Sequence, residues 1–551
     1  MNGDERRLRT LSGPEDSQAE LNLSYRRLRS PRASGQSLQI PPLTQTVSNW
    51  NDRDSATPEI EIGGLKLSSL KQQGRSELLQ LAGNYSSQYR DIDMAERNAQ
   101  SIVMSGHQPL LFHPGVWFKN FALSSLSSAV DAMPVNLVVD NDVCGSASIK
   151  CPVFEDGKAS TGLIDIDGPA AAVPHEVRAV VDDNVFASFA DRASDQVQAC
   201  FAAFGKTDTP LVSRLWPHVK SARDSLRSGA SLGAILAAGR HRLEQEAGLQ
   251  TLEVPVSSVA QSEAFCHFAA AILTAQDRFN ESYNARLVEY RQLHGIRSTS
   301  HPVPELERND GWLESPFWVW SNDRPQRERL FVNKAGKMIT LTNRAGWKLE
   351  VEAGDLPSAL SELAQQHVAI RPRALSTTLY SRLVLSDLFL HGIGGAKYDQ
   401  LTDLITSDFF GVTLPSFSTL TATMRLPLGV PVVGQADCSE IRQQLRQRRF
   451  HPDRFINSTE VDLAEAATWI DQKRTVIGSK ELTPSERHEA INEANSKLQP
   501  FVAEQAEMLH QELANVHAQI HNSKILNSRE YSFCLFPDAL IDDLKRMASC
   551  S

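Results

Sequence analysis

The chain has 551 residues, of which 41% are hydrophobic and 22% charged, and its formal net charge is -10. At roughly 100–200 residues per domain, this length predicts two to four structural units with enough apolar material for a large core. The acidic balance argues against a general nucleic-acid surface, and the lack of an apolar run of about 18 residues argues against a membrane-spanning helix. Because the Arg- and Ser-rich start has no apolar segment of the signal-peptide type, we expect a cytoplasmic protein.

Residues 1–60 differ in composition from the rest of the chain. The stretch "SYRRLRSPRASGQS" is polar and contains few large apolar side chains. Such a segment buries too little apolar surface to offset the entropy lost on ordering. We therefore expect residues 1–60 to form a disordered tail.

Residues 61–184 contain a strand, a turn, a helix and a second strand in close succession. The apolar run that begins at Ile102 reaches the turn Gly106-His107-Gln108-Pro109, and a helical pattern follows with Pro114 in its first turn. The stretch "PVNLVVDND" (134–142) then reads as a second strand. A strand, helix and strand within about forty residues predict a parallel sheet with a right-handed crossover.

The same pattern returns after a long interval. Residues 185–350 read as helices followed by an antiparallel β-meander, which we interpret as insertions. Within residues 351–435, an apolar strand near Leu388 leads to the turn Gly392–Gly395, a helix and a further strand. The predicted fold is therefore α/β, with a parallel sheet split by helical and β insertions.

The C-terminal part has a different pattern. Residues 436–526 contain two long amphipathic helices separated by a turn between Gly478 and Pro484, with Pro500 expected to kink the second. Two such helices joined by a short link predict an antiparallel hairpin of the coiled-coil type. Residues 527–551 are expected to form a short tail.

The two strand-to-helix turns are the places where a ligand site is expected. In open α/β sheets, ligands bind at the carboxyl ends of strands, where helix N-termini present free N–H groups. Gly392, Gly394 and Gly395 would let the backbone approach an anion closely, and Lys397 would add positive charge. The spacing matches neither a Walker loop nor GxGxxG, so a purely structural turn remains the alternative.

The first turn carries more reactive side chains. Beside Gly106, His107 can exchange a proton near neutral pH, and Gln108 offers both a donor and an acceptor that could orient a substrate. Asp140 and Asp142 end the next strand and could hold Mg²⁺ or a substrate ammonium group. The alternative is that these side chains only cap backbone groups in the connections.

Three segments together resemble the bacillithiol synthase (BshC) family of cysteine-adding ligases. That family has a Gly-Gln-Gln-Pro/Ala-Gly-Leu-Phe turn, for which this chain has Gly-His-Gln-Pro-Leu-Leu-Phe at 106–112. An acid-rich turn follows, here Asp-Asn-Asp at 140–142, and later a Gly-Gly-Pro-Gly-Glu-x-x-Tyr segment, here His-Gly-Ile-Gly-Gly-Ala-Lys-Tyr at 391–398. The chain departs from the family at His107, His391, Ile393 and Gly395.

The resemblance implies a Rossmann-like core that binds a nucleotide, with ATP or ADP as the candidates, a coiled coil that forms a homodimer, and a ligase reaction. In that reaction, the carboxyl group of an amino acid such as cysteine is joined to a small amine. The implied substrate-binding residues are Asp140, His391 and Tyr398, beside the catalytic candidates His107, Gln108 and Asp142. Two alternatives remain open: a non-catalytic dimeric scaffold that binds a nucleotide or metabolite, and a different transferase on the same core.

Metal binding by cysteines is not expected. No two of the seven cysteines have the CxxC spacing typical of structural zinc sites. Their odd number and wide separation instead predict reduced and mostly buried thiols.

Overall fold

The computed structural model describes residues 28–53, 57–92, 98–227, 229–456 and 463–550. Its centre is a six-stranded sheet. In chain order, the strands are β1 (Gln36–Ile40), β2 (Ile102–His107), β3 (Met133–Val138), β4 (Leu252–Pro255), β5 (Leu388–His391) and β6 (Phe417–Thr423). They lie in the order β1-β6-β5-β2-β3-β4, with β1 antiparallel to β6 and all other neighbours parallel. The predicted α/β class with a mostly parallel sheet is confirmed.

Two helices connect neighbouring parallel strands. Helix α1 (Pro114–Ala129) joins β2 to β3, and helix α2 (Ile393–Phe410) joins β5 to β6. Pro114 occupies the first turn of α1, where its missing N–H removes no helical hydrogen bond. Gly411 ends α2 with a left-handed φ of 71°, a conformation that glycine adopts without the strain of a side chain.

Both faces of the sheet are buried. Along β2, Val103 belongs to one hydrophobic cluster, whereas Ile102 and Met104 belong to the cluster on the opposite face. In β5, Leu390 and Phe389 divide between the two clusters in the same way. This alternation follows from the two-residue repeat of a strand, and burial on both faces explains why β2 is a continuous apolar run.

The long connection between β3 and β4 forms a separate layer of structure. It contains two small antiparallel sheets and three long helices. The sheets pair Val143–Cys144 with Val173–Pro174 and Ser148–Glu155 with Lys158–Asp165, and the helices are Asp183–Ala203, Val212–Ser225 and Leu232–Glu246. The prediction that residues 185–350 are all insertions is wrong at β4, which joins the central sheet. A four-residue strand between helices has too little periodicity to be recognised from sequence.

The predicted meander forms a second sheet. Its strands are Arg308–Asn309, Trp312–Ser321, Arg324–Ala335, Met338–Thr342 and Lys348–Glu352. The strand Val368–Pro372 also pairs with Trp312–Ser321, although the sequence placed it within the second part of the core. Asn141 Nδ2 donates a hydrogen bond to Pro372 O at 2.7 Å, so the second sheet lies against the carboxyl end of β3.

The remaining helices pack around these sheets. They are Leu43–Ser48, Leu67–Ser86, Val256–Val259, Glu263–Thr274, Gln276–Leu293, Leu356–Glu362 and Ala374–Tyr380. A single turn of π-helix, Ser381–Leu385, continues the last of them towards β5. None of the helices in the described ranges has both the length and the apolar character needed to cross a bilayer.

The C-terminal part contains more helices than the predicted hairpin. They are Ser439–Phe450, Leu463–Gly478, Pro484–Leu498, Ala503–Leu526 and Ala539–Ala548. Leu463–Gly478 packs against Pro484–Leu498, and Ser439–Phe450 packs against Ala503–Leu526. A short 3₁₀ turn that contains Pro500 separates the helix Pro484–Leu498 from the helix Ala503–Leu526, because proline cannot donate the helical hydrogen bond.

The N-terminal segment differs from its prediction. Residues 1–27 lie outside the described part of the chain, but residues 36–48 form β1 and a helix rather than a disordered tail. Strand β1 pairs along its whole length with β6, from Gln36 opposite Thr423 to Ile40 opposite Thr419. The partner strand lies far away in sequence, so local composition could not reveal the pairing.

Candidate functional site

The order of the strands creates a crevice at one edge of the sheet. From β2 the chain proceeds through β3 to β4 on one side, whereas β5 and β6 lie on the other side of β2. Strands β2 and β5 are parallel neighbours, with Leu390 opposite Ser105, so their carboxyl ends meet. Crossover connections diverge at such a switch point and leave a ligand-sized opening. The two turns singled out by the sequence therefore lie side by side.

One cavity of about 640 Å³ opens beside the second turn, and we call it the basic cavity. Its wall combines the N-terminal turn of α2 with cationic and imidazole side chains and with one carboxylate, Glu530, which lies 3.6 Å from Arg529 and 3.8 Å from His113. The residues concerned are Gly106, His107, His113, Lys119, Arg529 and the turn Gly392–Gly395. Because α2 has a glycine at its N-cap, no side chain caps its first N–H groups, which carry the positive end of the helix dipole. The cavity is suited to an anion.

Lys119 is the most unusual group in the basic cavity. The residue is 3% exposed, and Nζ donates a hydrogen bond to Gly106 O at 2.7 Å. Burial, with a smaller contribution from nearby Arg240, lowers the pKa of Lys119 to about 8. Loss of solvation destabilises the charged form of the ammonium group, so an arriving anion would stabilise it.

The absence of a side chain serves a different purpose at different glycines of the two turns. A Cβ added at Gly392 or Gly394 would meet no protein atom within 4 Å, so both face open space beside the cavity. A Cβ at Gly395 would lie 2.5 Å from His391 Nδ1, and one at Gly106 would lie 3.1 Å from Leu137 Cβ. Gly392 and Gly394 thus leave room for a ligand, whereas Gly395 and Gly106 make room for neighbouring side chains.

A second cavity of about 420 Å³ lies on the other side of the same turns, and we call it the inner cavity. The second sheet covers it. Its polar lining consists mainly of Gln108, Asp142, Arg327, Arg373, Tyr398 and Asp399. Gly106, His391 and Gly395 line both cavities, so these three residues form the wall between them.

The carboxylate of Asp142 is held by its neighbours in the inner cavity. Gln108 Nε2 donates to Oδ2 at 3.1 Å, while the Val143 N–H and Arg327 Nη1 each donate to Oδ1 at 2.9 Å. Burial opposes ionisation, but these hydrogen bonds outweigh it and lower the pKa of Asp142. Asp142 is therefore an anchored carboxylate, and Gln108 is oriented by it.

Asp140 lies apart from the residues that line either cavity. The Ser257 N–H donates to Oδ1 at 2.9 Å and the Ser257 hydroxyl donates to Oδ2, which ties the end of β3 to the residues after β4. Burial, reinforced by nearby Glu176, raises the pKa of Asp140. Because Asp140 and Asp142 serve different partners, they do not fit the predicted Mg²⁺ pair, and Asp140 is not placed to bind substrate.

His107 lines the basic cavity in an environment that disfavours its charged form. Burial and the nearby Lys119 ammonium lower the pKa of His107 to about 3. The ring packs edge-on against Phe112, with 5.1 Å between the ring centroids. The imidazole is thus neutral near pH 7, and this environment favours a hydrogen-bonding role over the predicted proton transfer.

Lys397 and Tyr398 are neighbours in α2, but their side chains lie in different surroundings. The Lys397 side chain is exposed and belongs to the lining of neither cavity, whereas Lys119 lines the basic cavity. Tyr398 faces the inner cavity, where a substrate-binding role remains open to it. The hydrophobic periodicity of α1 did not single out Lys119, because this helix is buried on nearly every side.

The sequence also gave no signal for the arginines of the site. In the inner cavity, the guanidinium carbons of Arg373 and Arg327 lie 4.0 and 4.6 Å from the ring centroid of Trp318. Arg373 also forms an ion pair of 2.7 Å with Glu314. Arg329, by contrast, is half-exposed on the same sheet. Only the fold distinguishes Arg327 from Arg329, which occur in the alternating pattern of one strand, Arg324–Ala335.

The C-terminal tail completes the basic cavity. Arg529 Nη2 donates to Thr421 Oγ1 at 3.1 Å and to Ala422 O at 3.2 Å, which fixes its guanidinium beside β6. Phe533 packs against Trp117 of α1, with 4.2 Å between the ring centroids. Arg529 and Glu530 of the C-terminal segment therefore line the basic cavity, and Phe533 attaches this segment to α1.

A buried ionic network lies beyond α1. His241, Glu244 and Glu253 are close enough to hold a metal ion, and all three are fully buried. Arg240, however, donates to Glu244 Oε1 at 2.7 Å and to Glu253 Oε1 at 2.6 Å. Because the guanidinium already offsets the carboxylate charge, this cluster has the character of a structural network.

The chain was also compared with known proteins. No model of a protein family matches it, and no curated protein has a matching sequence. The resemblance to bacillithiol synthases therefore depends on the three short segments at 106–112, 140–142 and 391–398. It remains a prediction.

Proposed function

We propose that this chain is a nucleotide-binding enzyme of the ligase type, built on a Rossmann-like core. The observation that supports this most strongly is the wall of Gly106, His391 and Gly395 shared by two cavities. An enzyme that joins two molecules needs two adjoining subsites whose reacting atoms meet, because fixed orientation removes much of the entropic barrier. The expected reaction forms an amide-type bond between an amino acid, such as cysteine, and a small amine.

The nucleotide is assigned to the basic cavity. The N–H groups of Gly394 and Gly395 and the ammonium of Lys119 would hold phosphate oxygens, with the Arg529 guanidinium adding charge. Bound ATP would supply a phosphoryl group that activates a carboxylate. Any Mg²⁺ would have to be held by the phosphates, since Asp140 and Asp142 are occupied.

The inner cavity is assigned to the second substrate. Arg373 and Arg327, both stacked on Trp318, would bind an anionic group, and Tyr398 would donate a hydrogen bond. The second sheet covers this cavity and would exclude water from the reacting atoms, which limits hydrolysis of an activated carboxyl group.

Calorimetric titration of the full chain with ATP and with ADP, in the presence and absence of Mg²⁺, tests the proposal. We expect at least one nucleotide to bind at micromolar concentration. Absence of binding under all four conditions would contradict the proposal. Binding without turnover of any amino acid and amine pair would favour the non-catalytic scaffold, for which the neutral His107 is the main support.

The nucleotide affinity is expected to depend on pH through Lys119. Since the pKa of its ammonium is about 8 without ligand and an anion raises it, ADP affinity should be constant near pH 7 and fall as the pH rises beyond 8. Titrations from pH 7 to 9.5 measure this. Lys119→Met should bind about tenfold more weakly at pH 7, with no further loss at higher pH. An equal pH dependence in both proteins would exclude Lys119 as the cause.

We also propose that the C-terminal helices form a homodimer. Ile477 is 56% exposed and Met508 is 64% exposed on these helices, and pairing of two copies would bury such apolar side chains. Light scattering of the full chain should give twice the chain mass. A monomer at micromolar concentration would exclude this dimer.

A further inference from the structure

His391 is held in a fixed orientation at the end of β5. Its ring packs between Phe389 and Phe417, with centroid distances of 4.5 and 5.4 Å, and the side chain is almost fully buried. Nε2 lies 2.6 Å from Asp399 Oδ2, on the first turns of α2. Packing on two sides and a short hydrogen bond leave the imidazole little freedom to rotate.

Asp399 is in turn fixed as a carboxylate. Arg382 Nη1 donates to the same Oδ2 at 2.9 Å and forms an ion pair of 2.8 Å with Asp403. Burial opposes ionisation, but the charges of His391 and Arg382 outweigh it and lower the pKa of Asp399 to about 2. A carboxylate only accepts hydrogen bonds, so Nε2 donates to Asp399, and whenever the ring carries a single proton its lone pair lies on Nδ1.

The other ring nitrogen of His391, Nδ1, lies against Gly395 in the wall between the two cavities. Nδ1 is the atom that a Cβ at Gly395 would approach to 2.5 Å, and His391 lines both the basic and the inner cavity. Within the described residues, the His391 ring makes one hydrogen bond, which joins Nε2 to Asp399. Nδ1 is therefore an unused acceptor beside the place where two bound molecules would meet.

We propose that His391 is the proton acceptor of the reaction, with Asp399 and Arg382 as its positioning residues. This inference rests on the proposed function and names the group that carries out its second step. As the amine nitrogen bonds to the activated carbonyl carbon, the bond from carbon to the phosphate oxygen breaks, and phosphate leaves with the electron pair. The proton lost by the amine nitrogen passes to His391 Nδ1, and the Asp399 carboxylate stabilises the resulting imidazolium.

The comparison with His107 supports this assignment. The two histidines end neighbouring strands, and both line the basic cavity. His107 lies near the Lys119 ammonium, and one of its ring nitrogens, Nδ1, lies 3.4 Å from the backbone oxygen of Gln108 rather than beside a carboxylate. His391 has an ionised carboxylate behind it. A proton acceptor needs such a partner, because protonation in a buried site must be compensated by charge.

Acylation by diethyl pyrocarbonate, which attacks unprotonated imidazole nitrogens, tests the proposal. The full chain is treated at neutral pH, and each modified histidine is quantified by peptide mass spectrometry. Because His391 is buried but borders two cavities, we expect it to react more slowly than the exposed His510 and far faster than the fully buried His241. Saturating ADP should slow the reaction of His391 at least tenfold and leave His510 unchanged.

Asp399→Asn provides the test of the positioning role, since Arg382 keeps Asp403 as its partner. The loss of the carboxylate charge should make Nδ1 less basic and slow acylation of His391 severalfold. A ¹⁵N spectrum of the native chain, with labelled histidine, gives a readout that needs no variant: Nε2 of His391 should carry the proton and Nδ1 should not.

The outcomes separate the two proposals. If ADP does not bind, the proposed function fails whatever His391 does; if ADP binds, the reactivity and tautomer of His391 decide the present inference. A His391 as unreactive as His241, a proton on Nδ1, or a reaction rate unaffected by Asp399→Asn would each overturn it.

Discussion

The double variant Gly392→Ala/Gly394→Ala is expected to lose at least about a hundredfold in ADP affinity, or roughly 2.7 kcal/mol, without losing stability. A Cβ at either position would meet no protein atom, so the fold accommodates both methyl groups. The methyl groups would instead occupy the space through which a phosphate reaches the N–H groups of α2. Calorimetric titration measures the affinity, and thermal unfolding measures the stability.

The free energy of unfolding should change little, because the two substitutions have opposite effects on the helix. Alanine is a poorer N-cap than glycine at position 392, but it favours the helix by up to about 1 kcal/mol at position 394. Gly83→Ala is the matched control. Gly83 also lies in a helix, Leu67–Ser86, and has open space around its Cβ position, but it lines neither cavity. The control should bind ADP as the native chain does. An unchanged affinity in the double variant would place the nucleotide elsewhere.

Replacing Arg382 by methionine is expected to destabilise the core by about 3–5 kcal/mol, because it leaves the Asp399 carboxylate buried without its cation. Arg382 is 2% exposed and also donates to Pro415 O at 3.0 Å, so the variant loses a hydrogen bond to the backbone as well. A chain of this size need not unfold in one step. Hydrogen exchange of the β5 and α2 amides therefore measures the local free energy of opening.

The control for this variant is Arg286→Met. Arg286 also forms a two-pronged ion pair, with Asp408 at 2.6 and 2.8 Å, but both side chains are about one third exposed. Exposed pairs contribute roughly 0–1 kcal/mol, so the control should change little. The double variant Arg382→Met/Asp399→Asn should recover part of the stability, because it removes the uncompensated charge. Equal effects of Arg382→Met and Arg286→Met would contradict the account of the buried cluster.

The local parts of the site could be predicted from sequence. The apolar run before Gly106, the proline at the start of α1 and the glycine turn before α2 each have a short-range physical cause. Two strand-to-helix turns of one sheet share an edge, so their approach was also predictable. Their adjacency follows from the pairing of β2 with β5.

The long-range parts could not be predicted. Strand β1 is stabilised by β6, and β4 by β3, so neither has a strong local pattern. The same limit applies to side chains: Lys119 and Arg529 belong to distant segments that only the fold brings to one cavity.

Residue type also misled where environment decides the chemistry. His107 was the obvious proton carrier from its position in the turn, but it lies beside Lys119, while His391 has the carboxylate of Asp399 behind it. Asp140 and Asp142 are close in sequence, yet their oxygens serve different partners. Such differences depend on burial and on neighbours that sequence spacing does not specify.

A crystal structure of the full chain with ADP tests the central claim most directly, namely that the basic cavity binds the phosphates of a nucleotide. The account predicts phosphate oxygens about 2.7–3.2 Å from the N–H groups of Gly394 and Gly395 and from Lys119 Nζ. An ADP molecule bound elsewhere, or one whose phosphates point away from the N-terminus of α2, would contradict it.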